Sequence, residues 1–448
     1  MNSNETLLAW SGLSLADIEQ RLLRQAGGYA AAGDDTGRGQ PHTPFAAEDL
    51  EDMLALLADA PYDGPREAVV LLPGIMGSLL TSMRGVTKLL WINPLIFLHG
   101  EANYLEMNDD GTGDGCAEVQ VMPLALEKIF YTKLALALRR QVDLYEFPYD
   151  WRRSITWNAR QLGASLARWS LADPGRQFTL VGHSMGGLVI RAYLAQDPAG
   201  AEEHVRQVIS LGTPYYGATS AVENLLLGNR MLALVAGINP RNVPRRIIMN
   251  MPSIYELLPP PPEMFPAGRP YPVNWDLYNA AAWHKADVRQ DYLDLGCQFQ
   301  QLMAVADPQL PQAQIAGCHL KTLVAVRQQA ANGSPQYELV KQPTGPNSGD
   351  GTVPLWSAVR PEFDTYYVRQ EHCKLPGHKP VIQAALALIH DEVPELPYQL
   401  PPAPAGLFDA AVDPFMAAEM APDAATLRQR LAEGTATASD YAQLFFAL

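Results

Sequence analysis

The sequence contains few cysteines, and no two of them form a C-x-x-C pair. The four are Cys116, Cys297, Cys318 and Cys373. Such scattered positions argue against a zinc knuckle or a thioredoxin-like redox motif. Because the chain shows no secretion signal, we expect these cysteines to be free, buried thiols, with no metal or other cofactor.

Positive charge is also scarce. Lys and Arg together number 33 against 48 Asp and Glu, which gives a formal net charge of -15. Binding of nucleic acid or of anionic lipid requires clustered Lys and Arg. We therefore expect no nucleic-acid partner, whereas neutral and zwitterionic ligands remain open.

Signals for export and for membrane insertion are missing from the chain. The first twenty residues, MNSNETLLAWSGLSLADIEQ, have neither a basic region nor an uninterrupted apolar core. No apolar run reads as long enough to span a bilayer. These absences predict a soluble, cytoplasmic protein, although export by a signal-independent route remains open.

What the chain does contain is apolar material, at 48% of its 448 residues, with 18% charged residues. This composition is typical of globular proteins. The length exceeds the usual size of a single core, so we expect one large domain with insertions or two domains.

Short apolar runs alternate with segments of helical period from Glu67 onward, and each run ends in Gly, Pro or Asp or at a polar residue. The runs are residues 67–74, 141–151, 177–184, 207–214, 319–326 and 365–372. Continuous apolar character fits strands that are buried on both faces. The alternation predicts a mostly parallel sheet with helices on both sides.

Two stretches, residues 78–130 and 215–318, are too long for ordinary connections in a compact domain. We expect them to be a lid and a cap inserted into a catalytic domain at 66–393. Residues 1–65 are predicted to form a helical arm, and residues 394–448 a proline-rich linker with short helices.

The segment LVGHSMGG at 180–187 contains the pattern GxSxG around Ser184. It follows an apolar run and opens a helical one, which is the strand-turn-helix setting of a nucleophile elbow. A glycine-rich bend with an inert serine is the alternative. A serine needs a base and an acid that orients the base, and in α/β-hydrolases both follow the serine in the chain.

Candidates for both partners lie downstream in the required order. Asp350, in NSGDGTVP, is the candidate acid, and its alternative role is that of a turn aspartate bonded to its own backbone. His372 is the candidate base because it follows the last predicted strand, although His378 remains an alternative. The main-chain amides of Ile75, in LPGIMGS, and of Met185 are predicted to form an oxyanion hole.

The segment EMNDDGTGDGCAE resembles a calcium loop, with Asp110 and Asp114 at suitable offsets. Its twelfth position is Val121, where an EF-hand requires a bidentate glutamate. We therefore expect a solvated hairpin loop at this position and no metal.

Seven segments, taken in order, resemble the lecithin:cholesterol acyltransferase-like lipases and phospholipid acyltransferases of the α/β-hydrolase fold. They are LLPGIMGS, FPYDWR, LVGHSMGG, SLGTP, MPSIYELLP, SGDGTVP and the segment around EH at 371–372. The resemblance covers about residues 66–393. It implies an acyl-enzyme on Ser184, a Ser184–Asp350–His372 triad, and a lid containing Trp91 over a lipid-binding cleft.

The sequence thus predicts a serine acyl hydrolase or O-acyltransferase that acts on lipid esters, with phospholipid favoured. The expected partners are this substrate and, transiently, a membrane surface, while the oligomeric state is left open. The alternatives are a non-lipid esterase or thioesterase and a catalytically silent hydrolase fold that binds ligands. Asp150, in FPYDWR, is expected to be structural because it precedes the serine.

Overall fold

A computed structural model of the chain describes residues 2–32, 43–58, 61–84, 88–228, 230–305, 308–330, 335–403 and 423–446. Its strands are β1 (Ala68–Leu72), β2 (Ser78–Ser82), β3 (Lys88–Trp91), β4 (Val121–Leu126), β5 (Asp143–Glu146), β6 (Phe178–His183), β7 (Val205–Leu211), β8 (Gln312–Gly317), β9 (Thr322–Gln329), β10 (Gln336–Gln342) and β11 (Asp364–Val368).

The first α-helices are α1 (Ser3–Ser11), α2 (Leu15–Ala32), α3 (Ala47–Ala58), α4 (Pro94–His99), α5 (Lys128–Gln141), α6 (Ile155–Ser170), α7 (Met185–Gln196), α8 (Pro198–His204) and α9 (Thr219–Leu226). They are followed by α10 (Arg230–Ile238), α11 (Pro244–Met249), α12 (Pro252–Glu256), α13 (Gln290–Met303), α14 (Leu355–Ala358), α15 (Lys379–Ile389), α16 (Ala424–Glu433) and α17 (Ala438–Phe446). Short 3-10 helices span Ala102–Leu105, Pro262–Met264, Ala280–Trp283 and His372–Gly377.

Six parallel strands form the central sheet, in the order β11-β8-β7-β6-β1-β5. Every residue of β1 is buried, and its side chains alternate between two cores. Val70 and Leu72 face one apolar cluster, whereas Val69 and Leu71 face the other. A strand covered on both faces needs apolar residues at every position, so a continuous apolar run predicts it correctly. The predicted mostly parallel sheet flanked by helices is confirmed.

The predicted strand at residues 319–326 does not belong to this sheet. It forms β9, which pairs with β10 in a separate antiparallel hairpin. The place in the sheet is taken by β8, inside the predicted cap, whose sequence QAQIAG is too polar to read as a buried strand. Gln314 is nevertheless 1% exposed, because its amide donates to the Arg360 carbonyl at 2.7 Å and to Thr365 Oγ1 at 2.6 Å. These hydrogen bonds offset the free-energy cost of burying the polar amide.

The predicted lid at 78–130 is largely a small antiparallel sheet, in the order β3-β2-β4, together with α4. Its calcium-like loop is a hairpin in which Met107 bridges Asp114. The Asp114 carboxylate accepts hydrogen bonds from Arg152 Nη2 at 2.8 Å and from the Val121 amide at 2.9 Å. Both of its oxygens therefore have protein donors.

The two ends of the chain lie together. Asn4 of α1 donates to the Leu431 carbonyl of α16 at 2.6 Å, and Tyr441 of α17 donates to Asn4 Oδ1 at 2.8 Å. Ser14 caps α2 by accepting from the Asp17 amide at 3.2 Å. The N-terminal and C-terminal helices thus share one packed region.

One stretch, Thr219–Ile238, contains α9 and α10 and is long and apolar enough to cross a bilayer by length and composition. The sequence reading did not single out this stretch, since Glu223 and Arg230 interrupt its apolar run. Within the protein, 62% of its 18-residue apolar window is buried. Most of it therefore contributes to the protein core.

Candidate active site

Ser184 lies at a sharp turn between β6 and α7, with φ 53° and ψ -126°. This left-handed backbone is strained for a residue with a side chain, and such strain clusters at functional sites. The turn can form because the residues two positions before and after Ser184, Gly182 and Gly186, carry no side chains. A Cβ on Gly186 would lie 2.5 Å from the Pro73 carbonyl oxygen, and one on Gly182 would lie 2.7 Å from the Gly187 nitrogen. The elbow therefore requires these glycines for close packing.

The structure brings Ser184, His372 and Asp350 together in one hydrogen-bonded chain. Ser184 Oγ lies 2.8 Å from His372 Nε2, and His372 Nδ1 lies 2.7 Å from Asp350 Oδ2. All three residues are at least nine-tenths buried. With the carboxylate on Nδ1, the Nε2 atom that faces the serine is free to accept its proton.

Gly212, in the segment SLGTP, leaves room for the hydrogen-bonded side chains of Asp350 and His372. Its φ of +58° is in the left-handed region, and a Cβ there would lie 3.1 Å from both Asp350 Oδ2 and His372 Nδ1. A side chain would therefore crowd the acid and the base at once. The sequence alone gave Gly212 no role, since it lies 138 residues before Asp350.

His378, the alternative base, lies away from the serine. It precedes α15, and its buried Nδ1 atom has no hydrogen-bond partner among the residues that the structure describes. Burial, followed by the nearby Lys133 ammonium, lowers the pKa of His378. Asp150 forms a buried ion pair with Arg152 at 2.8 Å, in keeping with a structural role.

The loop after β1 carries Ile75 above the nucleophile. A Cβ on Gly74 would lie 2.9 Å from the Ser184 Cβ, so this loop passes directly over the serine. Met185 begins α7, so its amide has no acceptor within the helix. No described residue accepts a hydrogen bond from the Ile75 amide. Both predicted oxyanion donors thus lie beside Ser184 with free N–H groups.

Aromatic side chains hold the main chain of this loop. Tyr149 donates to the Pro73 carbonyl at 2.7 Å, and Trp151 donates to the Ser78 carbonyl at 3.1 Å. These two residues come from FPYDWR, and the segment therefore supports the loop. These bonds hold the main chain beside Ser184 in one geometry, which is what an oxyanion hole would require.

Trp91 does not occupy the lid position predicted for it. The side chain is 3% exposed, packs edge-on against Trp151, and donates its indole N–H to the Met76 carbonyl at 2.7 Å. It is not among the described residues that line the cavity at Ser184. The KLLWINP run is apolar because it belongs to the core. Trp91 supports the loop at residues 73–77, here called the oxyanion loop, from the side away from the cavity.

A small apolar cavity of about 70 Å³ opens in front of Ser184. Its apolar lining is Ile75, Phe130, Pro214, Ala218, Ala221, Ile254, Leu257 and Val353. Of the described residues in the predicted lid, Phe130 alone lines it, whereas the predicted cap contributes from α9 and from around α12. The cap, more than the predicted lid, therefore covers the nucleophile.

Two further residues of the site were not predicted from the sequence. His183 precedes the nucleophile, and Tyr131 comes from α5, and their side chains lie 2.7 Å apart. Burial, followed by the proximity of His372, lowers the pKa of His183 well below its ordinary value. His183 was visible inside the elbow motif, but nothing in the sequence connects it to Tyr131, which lies 52 residues away.

A model of the family described as lecithin:cholesterol acyltransferase matches residues 125–384, which is more than half of the chain. The chain belongs to the lecithin:cholesterol acyltransferase family. Ser184, Asp350 and His372 all lie within the matched residues, whereas Ile75 and Trp91 precede them. The sequence resemblance is thereby confirmed at the level of the family.

Among characterised relatives, this family member is 26% identical over 130 residues to phospholipase A(1) LCAT3 of Arabidopsis thaliana. The match covers 28% of this chain and 29% of that protein. It therefore spans less than a third of the relative's length.

Two solved structures match this chain to different extents. The Tle4–Tli4 complex matches with a TM-score of 0.50 and 16% identity, over 73% of this chain and 99% of the other. The mature Bacillus licheniformis lipase BlEst2 matches with a TM-score of 0.37 and 14% identity, over 74% and 92%. The fold of this family member is that of the α/β-hydrolases, as the sequence predicts.

Proposed function

We propose that this protein is a serine acyl hydrolase or O-acyltransferase that acts on phospholipid esters through an acyl-enzyme on Ser184. The observation that carries the proposal is the chain of two short hydrogen bonds from Ser184 through His372 to Asp350. A buried serine on a strained turn, with a base and an oriented acid, is the arrangement that activates a hydroxyl for attack.

The reaction begins when Ser184 Oγ attacks the ester carbonyl and His372 Nε2 takes its proton. The Asp350 carboxylate holds the ring and stabilises the imidazolium that forms. The amides of Ile75 and Met185 donate to the oxyanion. His372 then passes its proton to the departing alcohol, and an incoming water or alcohol releases the acyl group by the same steps in reverse.

A lipid substrate is supported by the apolar lining of the cavity and by the family, together with the phospholipase A(1) name of the Arabidopsis relative. The cavity volume of about 70 Å³ is below the roughly 300–1,000 Å³ of typical ligand pockets. Entry of a long acyl chain therefore requires the segments that border the cavity, α9 among them, to move apart. We infer that this movement occurs during transient contact with a membrane surface.

The first prediction concerns the nucleophile. Ser184→Ala should abolish covalent labelling by a fluorophosphonate probe and lower ester hydrolysis by about 10³-fold or more, because the attacking oxygen is gone. Ser170→Ala is the matched control, since Ser170 Oγ also contacts a histidine, His204 Nδ1, at 3.2 Å. This control should label as the natural protein does. Labelling that survives in Ser184→Ala would contradict the proposal.

The substrate and the acceptor are separated by a product assay. Phosphatidylcholine vesicles should yield free fatty acid, and the same vesicles with an added sterol should yield sterol ester as well if an alcohol competes with water. Turnover of short water-soluble esters or thioesters without any turnover of vesicles would instead support the non-lipid alternative. A natural protein that neither labels nor hydrolyses would support a silent binding fold.

A further inference from the structure

A continuous row of buried hydrogen bonds connects the oxyanion loop to the catalytic base. The Gly74 amide lies 2.8 Å from Tyr131 Oη, and Tyr131 Oη lies 2.7 Å from His183 Nδ1. On its other side, His183 Nε2 lies 3.0 Å from the His372 carbonyl oxygen. Tyr131 is 4% exposed and His183 is 5% exposed.

The two ends of this row determine where every proton lies. The Gly74 amide can only donate, so Tyr131 Oη accepts from it. The His372 carbonyl can only accept, so His183 Nε2 carries a hydrogen. A neutral imidazole has one donor nitrogen and one acceptor nitrogen, so His183 Nδ1 accepts from the Tyr131 hydroxyl. With a neutral His183, every hydrogen bond in the row therefore has a donor and an acceptor, and all of them are donated in the direction from Gly74 to His372.

Burial maintains this neutral state. It lowers the pKa of His183 well below the ordinary value, and the neighbouring His372 ring lowers it further. Burial also raises the pKa of Tyr131, so its hydroxyl keeps its proton. Protonation of His183 would leave the Tyr131 hydroxyl hydrogen without its acceptor and would place a charge beside the base.

Each end of the row bears on an atom that the proposed reaction uses. The Gly74 amide directly precedes that of Ile75, so anchoring the Gly74 N–H restricts the positions open to the next peptide and its N–H. At the other end, the His372 carbonyl is held by His183, while the His372 amide donates to the Asp350 carbonyl at 2.9 Å. The His183 ring also packs against the His372 ring, with centroids 4.9 Å apart.

We propose that Tyr131 and His183 are positioning residues that couple the direction of the oxyanion loop to the placement of His372. This inference rests on the proposed function of the Ser184 site. Neither side chain transfers a proton to substrate. The pair holds the oxyanion loop and His372 in a fixed position relative to each other. These two parts of the site are more than a hundred residues apart in the chain.

The test uses Tyr131→Phe, which removes one oxygen and keeps the ring that packs in the site. The Gly74 amide and His183 Nδ1 then lose their shared partner. With a short-chain ester, kcat should fall about 10- to 100-fold, because small misplacements of catalytic groups have effects of this size. KM should stay within about twofold, since ground-state contacts are unchanged.

A transition-state analogue distinguishes positioning from general damage. An alkylboronic acid forms a tetrahedral adduct on the serine, so its affinity should weaken by about the same 10- to 100-fold factor as kcat. Tyr441→Phe is the matched control, because it also removes a buried hydroxyl with two partners, Ser3 Oγ at 3.0 Å and Asn4 Oδ1 at 2.8 Å. It should leave kcat and boronate affinity unchanged.

A double-mutant cycle with His183→Asn tests whether the two residues act as one row. If they do, the double variant should lose about as much kcat as either single variant, since one break already uncouples the ends. Additive losses, an unchanged kcat in a folded Tyr131→Phe, or a lower kcat with unaltered boronate affinity would each overturn the inference. A natural protein that fails to label at Ser184 would instead contradict the proposed function itself.

Discussion

Asp350 uses its two carboxylate oxygens for different purposes. Oδ1 accepts from the amides of Thr352 at 3.0 Å and Val353 at 2.7 Å, while Oδ2 faces His372. The sequence left two interpretations open, a turn aspartate or a catalytic acid, and the structure contains both contacts. The turn bonds fix the carboxylate so that its second oxygen is aimed at the imidazole.

The choice between two histidines gives a prediction at this scale. His372→Ala should lower the rate of short-ester hydrolysis by about 10³-fold or more, because no other base among the described residues lies within hydrogen-bond reach of Ser184 Oγ. His378→Ala should leave the rate within about threefold, since general-base catalysis requires hydrogen-bond reach of the serine. Steady-state rates of both purified variants provide the measurement. Equal losses in the two variants would argue against His372 as the base.

At the scale of elements, α6 receives its N-terminal cap from a distant segment. Glu256, at the end of α12, accepts from Ser154 Oγ at 2.6 Å and from the Ile155 amide at 2.5 Å. Burial raises the pKa of this carboxyl to about 7, although these hydrogen bonds oppose the shift. The segment PSIYELLP thus attaches the inserted stretch at 215–318 to α6, the helix that follows FPYDWR.

This burial predicts a pH-dependent stability. The pKa of Glu256 in the folded protein, about 7, lies above that of a carboxyl in an unfolded chain, about 4.3. The folded state therefore binds more protons between these values, and the free energy of unfolding falls as pH rises through this window. Relative to Glu256→Gln, the natural protein should lose on the order of 1–3 kcal/mol across it.

Urea unfolding of both proteins at a series of pH values measures this difference. Because Glu127, whose pKa burial also raises to about 7, contributes in the same direction, the Gln variant should retain part of the slope. A difference between the two proteins that does not change with pH would show that Glu256 titrates normally.

At the scale of the whole molecule, the C-terminal helices complete a core that begins near the nucleophile. Phe445 of α17 is fully buried and packs against Trp91 and Phe97, with ring centroids 5.1 Å and 5.7 Å away. Trp91 in turn holds the oxyanion loop through Met76. A segment outside the residues that the family model matches thus packs one layer behind the site.

Phe445→Ala should lower the free energy of unfolding by about 3–5 kcal/mol, because it removes a fully buried aromatic side chain and leaves a cavity. Chemical denaturation provides the measurement. Leu171→Ala is the control, since Leu171 is 81% exposed and its loss should cost no more than about 0.5 kcal/mol. A similar small cost at Phe445 would show that α17 does not support the core.

The sequence by itself located the candidate nucleophile and determined the layout of most of the sheet. Apolar runs such as residues 67–74 and 177–184 specify buried strands locally, and the glycines around Ser184 specify the elbow that follows one of them. The order of Asp350 and His372 after the serine was also sufficient to nominate them.

Only the tertiary structure decided which residues meet. It placed His372 and not His378 beside the serine, moved Trp91 from a predicted lid into the core, and admitted β8 to the sheet. It also joined Tyr131 to His183. The physical reason is that these outcomes depend on contacts between segments far apart in the chain, where packing and hydrogen-bond satisfaction outweigh local pattern.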